Sequence, residues 1–302
     1  MHLLLELITH SSYFSTSDHQ FGFKKHTSSM HAIYCVRNVV ESFTNNGSTV
    51  NVCALDLSKA FDRMNHYALL IKLIERKLPN KLLSILESWF SVSVTCVKWA
   101  GKLSYFFKLV CGVRQGGVLS PVLFSIYIDV LVHEVIKANT GCYISSICVS
   151  IFLFADDILL ISPTITGLQS LLNVCESELD KLDMRVNTDK SKCIRFGHRY
   201  KEPCAELTSN HGGTLSWVSS CRYLGIYFAS ARNFKCSFDN AKSKFFRAFN
   251  ALYSKVARSA SEEVVLSLLR AKCLPVLLYG TEACSLFSRD KRSSNSQLHG
   301  YL

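Results

Sequence analysis

The stretch IFLFADDILLIS, residues 151–162, carries two adjacent carboxylates in the middle of an apolar segment. The apolar residues on each side of Asp156 and Asp157 predict two buried strands joined as a hairpin at the acidic pair. Because an unpaired buried charge is costly, the pair requires cations, hydrogen bonds or solvent at the hairpin tip. Mg²⁺ prefers oxygen ligands of this kind, although a solvated turn explains an isolated Asp-Asp pair equally well.

A third carboxylate, Asp56, closes the apolar and β-branched segment TVNVCALDL at 49–57, which predicts a buried strand. A carboxylate at the end of such a strand projects toward a cleft, where it would complete a clamp for two metal ions. The alternative for Asp56 is a helix N-cap. Asp62 is assigned to local capping or to a salt bridge.

The composition favours a folded protein with a polyanionic partner. Apolar residues make up 48% of the 302 residues, and Lys and Arg outnumber Asp and Glu by 34 to 23, for a net charge of +11. Nucleic acid is the first expectation for such a partner and an anionic membrane surface the second. A merely soluble basic protein is the remaining alternative.

The 13 cysteines do not form a metal-binding or disulfide pattern. No C-x-x-C occurs, several cysteines lie in apolar runs, and we therefore expect free thiols in a reducing, intracellular compartment and no zinc. The first residues, MHLLLELI, lack a basic flank and make a poor signal peptide. The longest apolar run carries Asp156 and Asp157, so we expect no transmembrane segment and no membrane partner.

Hydrophobic periodicity predicts an α+β fold rather than a regular βαβ array. The predicted helices are 31–46, the part of 58–78 that follows a turn, 81–90, 120–137 and 167–184, with a helical region from 232 to 302. The predicted strands are 49–57, a pair around Ala100-Gly101, the segment 143–162, the end of 186–196, and a single strand at 219–228.

Three segments together resemble motifs A, B and C of reverse transcriptases, and most closely those of non-LTR (LINE-like) retrotransposons. They are ALDLSKAFD (54–62), GVRQGGVLSP (112–121) and FADD (154–157). Further segments resemble that family in order and at suitable spacing: QFGFKKHTSS (20–29), VNTDKSKCIRFG (186–197), CRYLGIYF (221–228) and LPVLLYGTEA (274–283). A group II intron maturase is an alternative lineage, but the FGFKK segment and the LLYGTEA region favour the LINE-like family.

The resemblance implies catalytic and metal-binding roles for the three carboxylates. Asp56 and Asp156 would hold two Mg²⁺ ions, or Mn²⁺, and Asp157 would assist. Lys190 resembles the lysine that is proposed in the family to protonate the leaving pyrophosphate.

The resemblance also implies a nucleotide pocket. Phe61 would be the steric gate against the sugar 2′ position, and Gln115 and Gly116 would line the pocket. Arg114 would contact template or phosphate. Lys24 or Lys25 would bring positive charge to the triphosphate.

The implied fold is a right-hand polymerase with fingers, palm and thumb, and with an antiparallel palm sheet packed on helices. We expect partial fingers at 1–50, a palm with a fingers insertion at 51–230, and a helical thumb with a truncated tail at 231–302. The implied activity is RNA-directed DNA polymerisation, with an RNA template, a DNA primer and dNTPs as partners, in nucleus and cytoplasm.

The chain departs from the family pattern at its two ends. Residues 1–19 do not show the arginine-containing fingers segment, no endonuclease is present, and the last residues lose the pattern. We therefore expect a fragment of such an element. The alternative function is a truncated, catalytically inactive nucleic-acid-binding remnant.

Overall fold

The computed structural model describes residues 12–256 and 260–284. They form two units: the first contains 12–28, 51–192 and 204–216, and the second contains 29–50, 193–203, 217–256 and 260–284. Residues 1–11, 257–259 and 285–302 lie outside the described residues, and so do the parts of the predicted fingers and thumb that fall on them.

Helices and strands alternate irregularly along the chain, as an α+β fold requires. The helices are α1 (Ser29–Asn45), α2 (Ala60–Arg63), α3 (His66–Glu75), α4 (Asn80–Ser91), α5 (Ser120–Ile128), α6 (Val130–Lys137), α7 (Ile165–Lys181), α8 (Asp239–Val256), α9 (Glu262–Leu268) and α10 (Leu274–Leu278), with a π-helix at Leu269–Cys273 and a 3₁₀ turn at Ser12–Phe14. The first nine strands are β1 (Val50–Leu55), β2 (Val94–Thr95), β3 (Lys98–Trp99), β4 (Lys102–Leu103), β5 (Phe107–Lys108), β6 (Tyr143–Ile144), β7 (Ile147–Cys148), β8 (Ile151–Phe154) and β9 (Asp157–Ser162). The last six are β10 (Lys192–Phe196), β11 (Leu207–Thr208), β12 (Thr214–Trp217), β13 (Ser220–Tyr223), β14 (Ile226–Ala229) and β15 (Cys236–Ser237).

Strand β9 is an inner strand of the sheet in the first unit. It pairs antiparallel with β8 on one side and with β1 on the other, in a register that sets Ile151 opposite Leu160 and Leu55 opposite Ile158. All residues of β9 after Asp157 are buried, on both faces of the strand. This double burial explains why the segment is a continuous apolar run rather than an alternating one.

Helix α5 is apolar around its whole circumference because it is buried on all sides. Leu123, Phe124, Tyr127 and Ile128 are all fully buried. Burial of each such side chain stabilises the fold by roughly 1.5–3 kcal/mol. The Tyr127 hydroxyl donates a hydrogen bond to the Leu182 carbonyl at 3.0 Å, which satisfies its only buried polar group.

The second unit is built on the antiparallel sheet β13–β14–β15. The segment 219–228, which the sequence predicted as one strand, is a hairpin, and that prediction is wrong. Leu224 and Gly225 both have positive φ, 45° and 85°, as a tight two-residue hairpin turn requires. Helix α8 packs Phe245 and Phe249 against the π-helix.

Three other predictions needed correction in the fold. The single helix expected at 120–137 is two helices, α5 and α6, separated at Asp129. The single helix expected after Asp56 is two helices, because the Asn65 side chain accepts hydrogen bonds from the Tyr67 and Ala68 amides and begins α3 anew. The helical region expected from 232 begins with strand β15, and α8 starts only at Asp239.

The expectation of free thiols throughout is also wrong. Cys236 and Cys284, both buried, form a disulfide whose Cα atoms lie 6.4 Å apart. The partners are 48 residues apart in the chain, and no spacing rule reveals such a pairing. Within the described ranges, no helix combines the length and the apolar character that a membrane span needs.

We predict that Asn65→Ala lowers the free energy of unfolding by about 1 kcal/mol, the usual effect of losing an N-cap. Urea unfolding followed by circular dichroism measures the change. Asn65→Ser keeps an accepting oxygen at the cap and should stay within a few tenths of a kcal/mol of the wild type. Equal losses in the two variants would contradict the capping role.

Candidate functional site

Asp156 lies at the tip of the β8–β9 hairpin. Phe154 pairs with Asp157 across the hairpin, which leaves Ala155 and Asp156 as the two turn residues. Ala155 has a φ of 56°, a left-handed conformation that a non-glycine residue adopts only where its surroundings hold it. Asp156 is partly buried, whereas Asp157 is exposed at the start of β9.

The Gln20 side chain stabilises this strained turn through hydrogen bonds. Its buried side-chain oxygen accepts hydrogen bonds from the Ala155 amide at 3.1 Å and from the Gly22 amide at 2.8 Å. The Phe21 amide donates to the Leu153 carbonyl at 2.8 Å, so the segment runs alongside β8 as a short parallel partner. Gln20 was not predicted from the sequence as a functional residue.

Gly22 is needed for this close approach. A Cβ atom at Gly22 would lie 2.5 Å from the Ala155 backbone nitrogen, closer than any side chain allows. A glutamine followed two residues later by a glycine, in QFGF, is the only trace of this contact in the sequence, and it is too weak to predict it.

Asp56 lies at the end of β1, where a loop of the same unit holds it. Its amide donates to the buried Ser191 hydroxyl at 3.0 Å, and its carbonyl accepts from the Asn187 amide at 2.8 Å. The Lys190 ammonium lies 3.8 Å from the Asp56 carboxylate. The structure therefore brings Asp56 and Lys190 together, with Ser191 as a further positioning residue that the sequence analysis missed.

The charges of Asp56 and Asp156 interact. Burial raises the pKa of Asp156 above its usual value, and the nearby negative charge of Asp56 raises it further, while a bond to its own backbone amide partly opposes both effects. The two carboxylates repel each other when both are ionised, and a divalent cation between them would reduce that repulsion.

The donor set suits a hard cation, but the described residues do not form a complete cage. Carboxylate oxygens are the ligands that Mg²⁺ prefers, and Mg²⁺ often takes only one or two from the protein. Among residues 12–256 and 260–284, no three His, Cys, Asp or Glu side chains converge as a metal site. The residues present thus fit an ion held by two carboxylates whose other ligands come from substrate and water.

Phe61 and the loop after Cys111 form a second group of candidate residues. Phe61 stacks on Phe124 with ring centroids 4.5 Å apart, and its carbonyl accepts from the Val113 amide at 2.9 Å. The exposed residues Arg114, Gln115 and Gly116 line a cavity of about 650 Å³ together with Ile85, Leu86, Trp89 and Gly117–Leu119. Gly116 has a φ of 81° and open space where a side chain would stand.

Lys24 and Lys25, the two lysines predicted to approach the triphosphate, differ in their exposure. Lys24 donates to the carbonyls of Thr16 and Ser17 at 3.2 and 3.3 Å and pairs with Asp18 at 3.1 Å. Lys24 is therefore engaged within its own loop, and the structure does not bring it to the carboxylates. Lys25 is exposed.

The family model for reverse transcriptase (RNA-dependent DNA polymerase) matches residues 3–228. The chain belongs to the reverse transcriptase family. The resemblance that motifs A, B and C carry is thereby confirmed, together with its non-LTR retrotransposon affinity.

Two relatives illustrate that affinity. The chain is 27% identical over 193 residues to the Pol polyprotein of retrotransposable element R2DM from Drosophila melanogaster, covering 62% of this chain and 18% of that protein. It is 25% identical over 233 residues to the RNA-directed DNA polymerase of the mobile element jockey from the same organism, covering 75% of this chain and 25% of that one. This reverse transcriptase chain thus spans about a fifth to a quarter of the length of these relatives.

A solved structure supports the fold. Apo telomerase from Candida tropicalis, truncated from its C-terminal domain, superimposes with a TM-score of 0.55 at 17% identity, covering 78% of this chain and 44% of that chain. The right-hand polymerase fold predicted from the motifs is confirmed.

We predict that Gln20→Met, which keeps the side-chain volume, lowers the free energy of unfolding by about 1–3 kcal/mol. The loss follows because the Gly22 and Ala155 amides then lie buried without an acceptor. Urea unfolding measures it. Gln20→Ala should lose at least as much, and a neutral Gln20→Met would show that the two hydrogen bonds do not support the turn.

We predict that Asp156→Asn raises the unfolding free energy of the metal-free chain at pH 7. The folded state raises the pKa of this carboxyl above its unfolded value near 3.8, so folding favours the protonated form. Wild-type stability should therefore increase as the pH falls from neutral through the raised pKa, and the Asn variant should lack this component. Urea unfolding from pH 7 down to pH 4, close to the unfolded value, measures both.

The exposed change Asp62→Asn controls for the loss of one negative charge in that experiment. A metal-free Asp156→Asn variant that is less stable than the wild type at pH 7 would show that the carboxylate is well satisfied without a cation.

Proposed function

We propose that this reverse transcriptase domain is an active RNA-directed DNA polymerase of a non-LTR retrotransposon. It adds deoxynucleotides to a DNA primer 3′ end on an RNA template. The observation that carries the proposal is the pair Asp56 and Asp156, which lie at the end of β1 and at the tip of the adjacent hairpin and interact through their charges. Their placement in motifs A and C of the family supports the same role.

In this proposal Asp56 and Asp156 hold two divalent cations, Mg²⁺ or Mn²⁺, and Asp157 assists from the start of β9. Such ions lower the pKa of a primer 3′-hydroxyl and neutralise the triphosphate and the leaving pyrophosphate. The protein contributes rigid positioning. Gln20 and the buried residues of β8 and β9 hold the hairpin tip, and Ser191 holds the backbone of Asp56.

Lys190 is proposed as the general acid for the leaving pyrophosphate. Its ammonium lies 3.8 Å from the Asp56 carboxylate, so the loop that carries it already reaches the carboxylates. A lysine in that position supplies both positive charge and a proton to a departing phosphate oxygen.

The nucleotide pocket is proposed to involve Phe61, Arg114, Gln115 and Gly116. Phe61 is held by its stacking on Phe124, which suits a rigid gate against the sugar 2′ position. The open space at Gly116 leaves room for a base pair against the backbone. Lys24 or Lys25 is proposed to bring positive charge to the triphosphate from the segment 20–29, as the family resemblance implies.

The division into partial fingers at 1–50, a palm with a fingers insertion at 51–230 and a helical thumb at 231–302 is also proposed. Within the thumb, α8 buries Phe245 and Phe249 and exposes Lys244 and Arg247. A helix with one buried aromatic face and one basic face is suited to grip the phosphates of a duplex. RNA template, DNA primer and dNTPs are the partners that this assignment implies, at work in cytoplasm and nucleus.

Primer extension by the purified chain tests the proposal. The substrate is a poly(rA)/oligo(dT) duplex with Mg²⁺, and then with Mn²⁺. We predict that Asp56→Asn and Asp156→Asn each lower the extension rate by about 100-fold or more, the scale seen when one electrostatic stabiliser of the reacting groups is removed. Asp62→Asn, on the exposed side of α2, is the matched control and should extend like the wild type.

Absence of extension by a folded wild-type chain that binds the duplex would overturn the proposal. That result would favour the inactive nucleic-acid-binding remnant. Extension that survives Asp156→Asn would separate the activity from the two carboxylates.

A further inference from the structure

An exposed two-stranded ribbon projects from the first unit between α4 and the Arg114 loop. We call residues 93–109 the aromatic ribbon. Its strands pair as β2 with β5 and β3 with β4, and they meet at the turn Ala100-Gly101, where both residues have positive φ. None of the residues assigned above to the polymerase site lies in it.

Large aromatic side chains of the aromatic ribbon stand in solvent. Trp99 is 82% exposed, Tyr105 is 96% exposed and Phe106 is 68% exposed. Isolated apolar residues at a surface are ordinary, but several neighbouring aromatic rings at this level of exposure mark an interaction surface.

A β-bulge contributes to this exposure. Thr95 pairs with Phe107, whereas further along the ribbon the Ser104 amide donates to the Val97 carbonyl and the Ser104 hydroxyl accepts from the Val97 amide. One residue, Cys96, therefore lies opposite two, Tyr105 and Phe106. A bulge bends its strand and redirects its side chains. The two most prominent rings of the returning strand are thus turned outward by the backbone itself.

Positive charge accompanies the rings. The sequence has no acidic residue between Glu87 and Asp129, and within this span it has Lys98, Lys102, Lys108 and Arg114. All three lysines of the ribbon are exposed. The partner that such a surface selects is an anion.

The rings and the charges are not separated onto opposite faces of the ribbon. Trp99 lies directly opposite Lys102, so a ring and an ammonium stand on one face, while Lys98 lies opposite Leu103 on the other face. A membrane-binding element instead separates its apolar face from its charged face. Interleaved rings and cations match a strand whose phosphates and unpaired bases alternate along its length.

We propose that the aromatic ribbon binds single-stranded RNA, with bases stacked on Trp99 and Tyr105 and phosphates held by the three lysines. Duplex RNA fits less well, because its bases are already stacked on one another and present no free face. The identification of this RNA as the unpaired part of the template rests on the proposed polymerase function. The binding itself does not require the carboxylates.

Fluorescence anisotropy with a labelled single-stranded RNA of about 20 nucleotides tests the proposal, in EDTA and without dNTPs. The double variant Trp99→Ala with Tyr105→Ala should bind at least about tenfold more weakly, the scale of lost base stacking. Trp99→Phe with Tyr105→Phe keeps the rings and should restore most of the affinity. The affinity for a blunt RNA duplex should change less than threefold in every variant.

The salt dependence of RNA binding tests the lysines separately. Replacement of Lys98, Lys102 and Lys108 by Gln should reduce the slope of log affinity against log salt by about 2, since each phosphate contact on a single strand contributes about 0.7. Tyr67→Ala with Lys81→Gln removes an exposed ring and an exposed charge elsewhere in the same unit and should change neither quantity.

Unchanged affinity of the Trp99 and Tyr105 variant for single-stranded RNA would overturn the proposal. A variant that loses only self-association in sedimentation would also overturn it, because the surface would then bind a second copy of the chain. A variant that loses only binding to anionic vesicles would do the same, because the surface would then bind a membrane. Failure of the polymerase assignment would look different: the wild type would bind single-stranded RNA through the ribbon and yet extend no primer.

Discussion

The burial of the Asp156 carboxylate at the tip of a hairpin, close to the charge of Asp56, is the constraint on which the candidate site depends. The turn that carries Asp156 is held against a packed sheet by specific contacts. Gln20 supplies an acceptor to the strained Ala155 amide, and Gly22 leaves room for the contact. The buried apolar residues of β8 and β9 make the hairpin rigid. Hydrophobic burial several residues away therefore offsets the cost of placing the Asp156 charge at the tip.

Much of this arrangement was predictable from the sequence, because the relevant signals are local. Apolar runs reveal β1, β8 and β9, and the acidic pair between two such runs predicts the hairpin tip, which the structure bears out. The motif spacing predicted the family and the right-hand fold, and the comparisons confirm both. The role of each site residue remains a prediction, although the structure brings Asp56, Asp156 and Lys190 into one region.

The features that escaped prediction are those with a partner far away in the chain. Gln20 acts on a residue 135 positions away, and Ser191 acts on Asp56 across the same number of residues. The Cys236–Cys284 disulfide is another such pair. Two other features escaped for a different reason, because a short local interruption does not change the hydrophobic periodicity around it. They are the cap at Asn65 that begins a new helix and the hairpin turn at Leu224-Gly225.

The contact between Lys190 and Asp56 changes how loading of this site should be understood. The Lys190 ammonium lies 3.8 Å from the Asp56 carboxylate, and both side chains are exposed to solvent. If Asp56 holds a divalent cation, as the proposed function requires, that cation and the Lys190 ammonium would compete for the same carboxylate. Metal binding at this site would then be an exchange of cations rather than a simple addition.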